Sequence, residues 1–230
     1  MPAVFITGSG TDVGKTFVAC GLIRALRLRG VAVGALKPVV SGFDPLAWEN
    51  SDPGRLLRAL GQAPTSQALA ALSPWRYAAP LAPDLAASLE GRAVDFNAVA
   101  EFCMARTAAE PDRLWLIEGV GGVMSPVSES RTGVDLMMVL SAPVVLVAGG
   151  YLGAISHALT ALSVLEAHKL TVAAVVVSGG APNDPPLDET VASLARFAGS
   201  IPMLSLPRDE DPTSTFGVLA ARLSDGAKLK

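Results

Sequence analysis

The chain has 230 residues, half of them hydrophobic, 17% charged and only 5% aromatic. That length fits one large α/β domain, and the apolar fraction is ample to offset chain entropy, which excludes a disordered chain. A formal charge of −3, with no basic block beyond the scattered arginines of residues 24–30, argues against general nucleic-acid binding.

Short β-branched runs alternate with longer helical patterns. This predicts βαβ units and a parallel sheet flanked by helices on both faces. Ala3–Thr7 reads as the first strand, Gly14–Arg29 as the first helix and Ala32–Lys37 as the next strand. Residues 44–92 are rich in Pro, Gly and Ala, with short helical pieces and no obvious strand. They read as an insertion over the face of the sheet, where loops carry function. Phe96–Ala109 then reads as helix, Leu114–Glu118 and Val144–Ala148 as strands, and Ala154–His168 as helix. Val172–Ser178 follows as strand, Leu187–Ala198 as helix and Ile201–Leu206 as a short last strand. The apolar stretch Val134–Ile155 holds Asp135, Pro143 and Gly149-Gly150, so it lacks the roughly 20 unbroken apolar residues of a membrane span. Cys20 and Cys103 lie in helical patterns with no His cluster near them, which predicts buried reduced thiols rather than a disulfide or metal site. No repeat, linker or targeting signal is visible, and a soluble, cytoplasmic single domain over residues 1–230 is expected.

The richest segment is Gly8–Thr16, GSGTDVGKT. A phosphate-binding loop ordinarily reads G-x-x-x-x-G-K-[ST]. Here Ser9 occupies the first glycine's place and the nearest glycine upstream is Gly8, giving one extra residue. The flanking strand and helix still predict a P-loop NTPase-type fold that binds a nucleoside triphosphate with Mg²⁺. Backbone N–H groups from Gly10 through Thr16 can wrap phosphates at the positive end of the helix. Lys15 would reach the β- and γ-phosphates, and the Thr16 hydroxyl would ligate Mg²⁺. Asp12 is unusual in a loop that receives a polyanion. It either pairs with a cation, such as a substrate amine, or is a solvated residue capping the turn.

Lys37 ends the second strand in LKPVVSG, at the edge where a parallel sheet binds ligands. A cation there can neutralise a transferring phosphoryl group or an anionic intermediate. Ser41 follows in the adjoining loop, beside Gly42. Glu118 closes the strand LWLIE before Gly119, Val120 and Gly121, which has the character of a Walker B acid. With Thr16 and Glu118, Asp52 in the phrase NSD would complete a set of hard oxygen ligands. The alternative for Asp52 is a helix N-cap ahead of Pro53 and Gly54.

Taken together, GSGTDVGKT, LKPVVSG, NSD at 50–52, IEGVGG at 117–122, LGAISH at 152–157 and the late LPRDED resemble the dethiobiotin synthetase family. The motifs occur in the family's order and include the extra loop residue. The resemblance implies an ATP-dependent ligase of biotin biosynthesis that takes 7,8-diaminononanoate, CO2 and ATP. It would close a cyclic urea through a carbamate and a carbamic–phosphoric anhydride, releasing ADP and phosphate.

By motif, Lys37 and Lys15 become catalytic, and Thr16, Asp52 and Glu118 the magnesium ligands. Thr11, Asp12, Lys37 and Ser41 face the substrate, with Asp12 where the family commonly has Glu. Asp12, Val13, Gly14, Lys15, Thr16 and Phe17 bind nucleotide, together with Gly119, Val120 and Gly121. Gly153, Ala154, Ile155 and Ser156 would bind the substrate's tail carboxylate at a helix N-terminus, across a homodimer interface. Ser156 replaces an Asn of well-known relatives. Ser178 and Gly179 stand where adenine-reading relatives carry Asn-Asp, and Ser cannot make the bidentate contact of Asn. Base discrimination is therefore expected to be weaker, or to rest on Pro207, Arg208, Asp209 and Glu210.

The competing expectation is a P-loop switch or partitioning ATPase. Those proteins usually carry an extra lysine early in the loop, which Gly8-Ser9-Gly10 lacks, and a terminal partner-binding helix, of which the closing AARLSDGAKLK shows no strong amphipathic face. An amidotransferase acting on a corrin ring would need a longer chain and a Cys/His pair.

Overall fold

The β-branched runs of the sequence pair into one parallel sheet in a computed structural model, which describes residues 3–179, 184–207 and 212–227. Strands β1 (Ala3–Gly8) and β2 (Val33–Leu36) flank helix α1 (Lys15–Leu28) in sequence. The short β3 (Val39–Val40), a 3-10 turn over Trp48–Asn50, α2 (Asp52–Leu60), α3 (Ser66–Leu72), β4 (Trp75–Arg76) and α4 (Pro83–Leu89) follow. Then come α5 (Phe96–Ala109), β5 (Leu114–Glu118), the hairpin of β6 (Pro126–Ser128) and β7 (Arg131–Thr132), and α6 (Gly133–Leu140). The chain continues with β8 (Val144–Gly149), α7 (Ala154–Ala167), β9 (Val172–Ser178), α8 (Leu187–Ala195), β10 (Met203–Leu206) and α9 (Thr213–Ala227).

The strand order is β10-β9-β8-β1-β5-β2, so β1 sits centrally between two strands that come much later in the chain. Alternate side chains of each strand enter opposite cores. Ala3 and Phe5 join Trp115, Ile117, Leu146 and Val175 under α5 to α8. Val4 and Ile6 join Leu116, Val145 and Val176 under α1, α2 and α9. Both faces are thus covered, as all-parallel sheets require. Cys20 and Cys103 are buried free thiols on α1 and α5. Burial pushes them up to about 11 and about 12. Among the described residues no helix is long and apolar enough to cross a membrane.

Two elements depart from the sequence reading. A strand does exist within residues 44–92: Trp75–Arg76 pairs in parallel with Val39–Val40. Two residues are too few to show any periodicity. The C-terminal region is a 15-residue helix whose Phe216, Leu219, Ala220 and Leu223 are buried. Its register becomes visible only where α1 offers Gly21, at which an added Cβ would meet the Phe216 ring at 2.2 Å.

Helix α6 is held at its start by a capping box, in which Thr132 and Asp135 satisfy each other's backbone and side-chain groups. Burial pushes the Asp135 carboxyl up, but the Thr132 N–H and hydroxyl and the Arg131 guanidinium outweigh it and hold the group below its ordinary value. A depressed acid stabilises the fold above the ordinary carboxylate range and loses that contribution as pH falls through the folded-state value. Asp135→Ala is expected to cost about 1 kcal/mol at neutral pH. The loss should shrink towards zero near pH ~2.5, where the carboxyl is protonated in the unfolded chain and increasingly in the fold. Urea unfolding at both pH values checks this, and an equal loss at both would contradict it.

Candidate active site

The parallel register brings the charged residues together. Leu36 lies opposite Ile117, so the next residues, Lys37 and Glu118, leave the sheet edge side by side. Ile6 lies opposite Glu118, which puts that carboxylate beside the exit of β1 into the glycine loop. Lys37 Nζ donates to Glu118 Oε1 at 2.5 Å and to Asp52 Oδ2 at 2.6 Å. Thr16, the second residue of α1, donates its hydroxyl to Glu118 Oε1 at 2.6 Å. Lys15 Nζ donates to the Gly10 carbonyl at 2.9 Å, folding back over its own loop.

Burial makes this cluster electrostatically tense. Lys37 is only 4% exposed and Glu118 1%. Burial alone would lower the Lys37 ammonium, but Glu118 and Asp52 outweigh it and hold it above its ordinary value. Burial likewise pushes the Asp52 carboxyl up, and Lys37, then Thr16 and Arg55, bring it below its ordinary value. Lys15 has less help: burial and the repulsion of Lys37 lower it to about 8, against the pull of Glu118, Asp52 and Asp12. Glu118 Oε2 is buried with no hydrogen-bond partner among the described residues. A buried unpaired acceptor beside a second carboxylate and a hydroxyl is a set of hard oxygen donors suited to a divalent cation.

The segment returning from α3 fixes Lys37 in place. The Lys37 N–H donates to Leu72 O, and the buried Ser73 hydroxyl donates to Lys37 O at 2.5 Å. Trp75 N–H donates to Pro38 O, Tyr77 N–H to Val40 O, and Gly42 N–H to Ala79 O. This ladder carries Pro80 to within 3.2 Å of where a Gly42 Cβ would stand. Pro80–Pro83 thereby form a wall of a cleft of about 640 Å³ that Thr11, Lys15, Lys37, Asp52 and Glu118 also line.

A family profile described as an AAA domain matches residues 2–214. The chain is 51% identical over 210 residues to the ATP-dependent dethiobiotin synthetase of Caulobacter sp. strain K31, covering 91% of this chain and 90% of that protein. It is 48% identical to the synthetase of Methylobacterium nodulans, covering 86% and 90%, and 38% identical to that of Anaeromyxobacter dehalogenans strain 2CP-1 over the full length of both. The chain belongs to the dethiobiotin synthetase family. Among solved structures it is similar to the cell division ATPase MinD of Pyrococcus furiosus, with a TM-score of 0.57 at 14% identity, covering 98% of this chain and 99% of that one. A ParA family ATPase from Chlorobium tepidum gives 0.54 at 16% identity, covering 99% of each chain. At such identities the likeness is one of fold.

The residues singled out from the family's motifs fall into four groups. Thr11, Asp12, Gly14, Lys15, Thr16, Phe17, Lys37, Ser41, Asp52, Glu118, Val120 and Gly121 line this cleft. Val13 is buried in the core beneath the loop, and Gly119 packs on Phe5. Ser178 is also beside the loop: a Cβ on Gly14 would meet its Oγ at 3.2 Å. Gly179 N–H donates to Leu206 O, next to Pro207. Arg208, Asp209 and Glu210 lie outside the described residues. Gly153, Ile155 and Ser156 line a separate cavity of about 660 Å³, and Ala154 is buried behind it.

One local reading changes. Asp52 is not the N-cap: that position is Ser51, and Asp52 opens α2 with its carboxylate on Lys37. Asp12 adopts a left-handed conformation, φ 58, which Asp tolerates better than most residues. Arg55, Pro80–Pro83 and Ser125 line the cleft without belonging to any of the motifs.

The loop's extra residue has a steric cause. A Cβ on Gly8 would stand 2.7 Å from Gly10 O and 2.9 Å from Val13 Cγ2, so Gly8 fills the role of the motif's first glycine. Gly8→Ala is expected to weaken nucleotide binding at least about tenfold, roughly 1.4 kcal/mol, by displacing that backbone oxygen. Ser9→Gly should stay within about threefold. Titration with a fluorescent nucleotide decides, and unchanged affinity in Gly8→Ala would refute the assignment.

Proposed function

We propose that this chain is an ATP-dependent ligase that converts 7,8-diaminononanoate and CO2 to dethiobiotin, with release of ADP and phosphate. The observation that carries the reading is the buried Lys37 held between Glu118 and Asp52, beside Lys15 and Thr16, in a member of the dethiobiotin synthetase family. Residues 1–230 are read as one domain, with 44–92 inserted over the active-site face.

One substrate amine attacks CO2 and loses a proton, giving a carbamate. A carbamate oxygen attacks the γ-phosphorus, and the bond to ADP breaks. The second amine then attacks the carbamate carbon, loses a proton and expels phosphate, closing the ring. Every step gathers or moves negative charge in one place, so positioned cations contribute most. Lys15 holds the β- and γ-phosphates, and Lys37 divides its ammonium between Glu118 and the migrating phosphoryl group. Asp12, exposed on the loop, faces the diamine and favours its approach, while Thr11 and Ser41 hydrogen-bond the substrate near the carbamate. Gly119 to Gly121 let the backbone pass close to the phosphates.

A Mg²⁺ ion fits the donors Thr16, Asp52 and Glu118, the last with its unpartnered Oε2. When bound there it neutralises charge on the transferring phosphate, with nucleotide oxygens and waters completing its shell. Ser178 is too short to read an adenine edge as Asn does, so we read base selectivity as loose. Gly153, Ile155 and Ser156 are read as the tail-carboxylate pocket at the start of α7, completed by a second copy of the chain. Leu152, 88% exposed, and Phe197, 67% exposed, give this rim the apolar character of an interface.

Phosphate release is expected to require both the diamine and bicarbonate. Fast release with neither, or only with a protein partner, would favour a switch ATPase instead. Lys37→Gln should retain ATP binding while turnover falls at least about 100-fold. Unchanged turnover would remove that lysine from the mechanism.

A further inference from the structure

Arg55 follows Asp52 by three residues on α2, so both side chains leave the same face of the helix. Both line the cleft. The two cleft lysines are already engaged, Lys15 by Gly10 and Lys37 by the two carboxylates. The Arg55 side chain is exposed and acts on the Asp52 carboxylate through its charge, with no hydrogen bond or ion pair among the described residues. Its charge also matters to the cleft as a whole. The charged side chains lining it are Lys15, Lys37 and Arg55 against Asp12, Asp52 and Glu118. Without Arg55 the protein would present a net negative wall to a triphosphate, which opposes binding and transfer.

Topology narrows what Arg55 can meet. Helix α2 packs on α1 and β2, on one flank of β1. Ser178, near the expected base, ends β9 on the other flank. A cationic diamine would be repelled by a guanidinium, whereas the planar fork suits phosphate oxygens. We infer that Arg55 is a further charge-stabilising group for the transferring phosphoryl group, approaching it from α2 beyond Lys37. This rests on the ligase reading only for the identity of the phosphoryl acceptor. Placement in the same chain as the loop matches the use of a cis arginine in phosphoryl transfer generally.

The test compares Arg55→Ala and Arg55→Lys with the native chain in steady-state turnover, and in binding of ADP with and without aluminium fluoride. Arg55→Ala is expected to lower kcat at least about tenfold, with KM for ATP changed less than about threefold. Its affinity for ADP with aluminium fluoride should fall by a similar factor while affinity for ADP alone is kept, and Arg55→Lys should recover part of both losses. Equal weakening of ADP with and without fluoride, or no change in either, overturns the proposal. Failure of the native chain to respond to diamine and bicarbonate would instead remove the ligase reading, and the fluoride comparison would still decide the role of Arg55.

Discussion

An ammonium ion taken out of water costs several kcal/mol unless other charges and hydrogen bonds meet it. Lys37 is almost wholly buried, and Glu118 beside it more so. Each is tolerable only because of the other, and Asp52 supplies the second half of the countercharge. Much of the surrounding structure serves this pair. The β2–β5 register sets the two residues side by side, α1 adds the Thr16 hydroxyl, and Ser73 clamps the Lys37 carbonyl. The segment from α3 to α4 completes the arrangement by running back along Lys37–Gly42 and closing the cleft with prolines.

One architecture hosts different activities. The MinD and ParA structures share the fold at 14% and 16% identity. Fold alone cannot separate a partitioning ATPase from a ligase. In the proposed ligase the distinction rests on residues set on this frame: Lys37 just after β2, Asp52 at the start of α2, and Asp12 in the loop.

Legibility in the sequence followed the range of the interaction. Strands buried on both faces announce themselves as runs such as VVLVAG and VAAVVVS, and the loop by glycines with Lys-Thr at its helical end. Glu118 could be marked because a strand-end acid before glycines is a local pattern. Asp52 was legible only as one of two roles, since its choice between helix cap and Lys37 partner depends on how β2 and α2 pack. Pro80–Pro83 carried no local signal, because they reach the cleft through chain return across more than thirty residues, as in Ser73 meeting Lys37 at a separation of 36. The helix Thr213–Ala227 was missed for a related reason: its apolar face is small and is completed by the gap at Gly21.

The mutual dependence of Lys37 and Glu118 can be measured as a coupling energy. Unfolding free energies of Lys37→Met, Glu118→Gln and the double variant form a cycle. Each single change should cost about 3–5 kcal/mol by leaving a buried charge or polar group unpaired. The double variant should lose less than the sum by about 2 kcal/mol or more. Losses that add within about 0.5 kcal/mol would show that the two charges do not sustain each other, and would contradict the account.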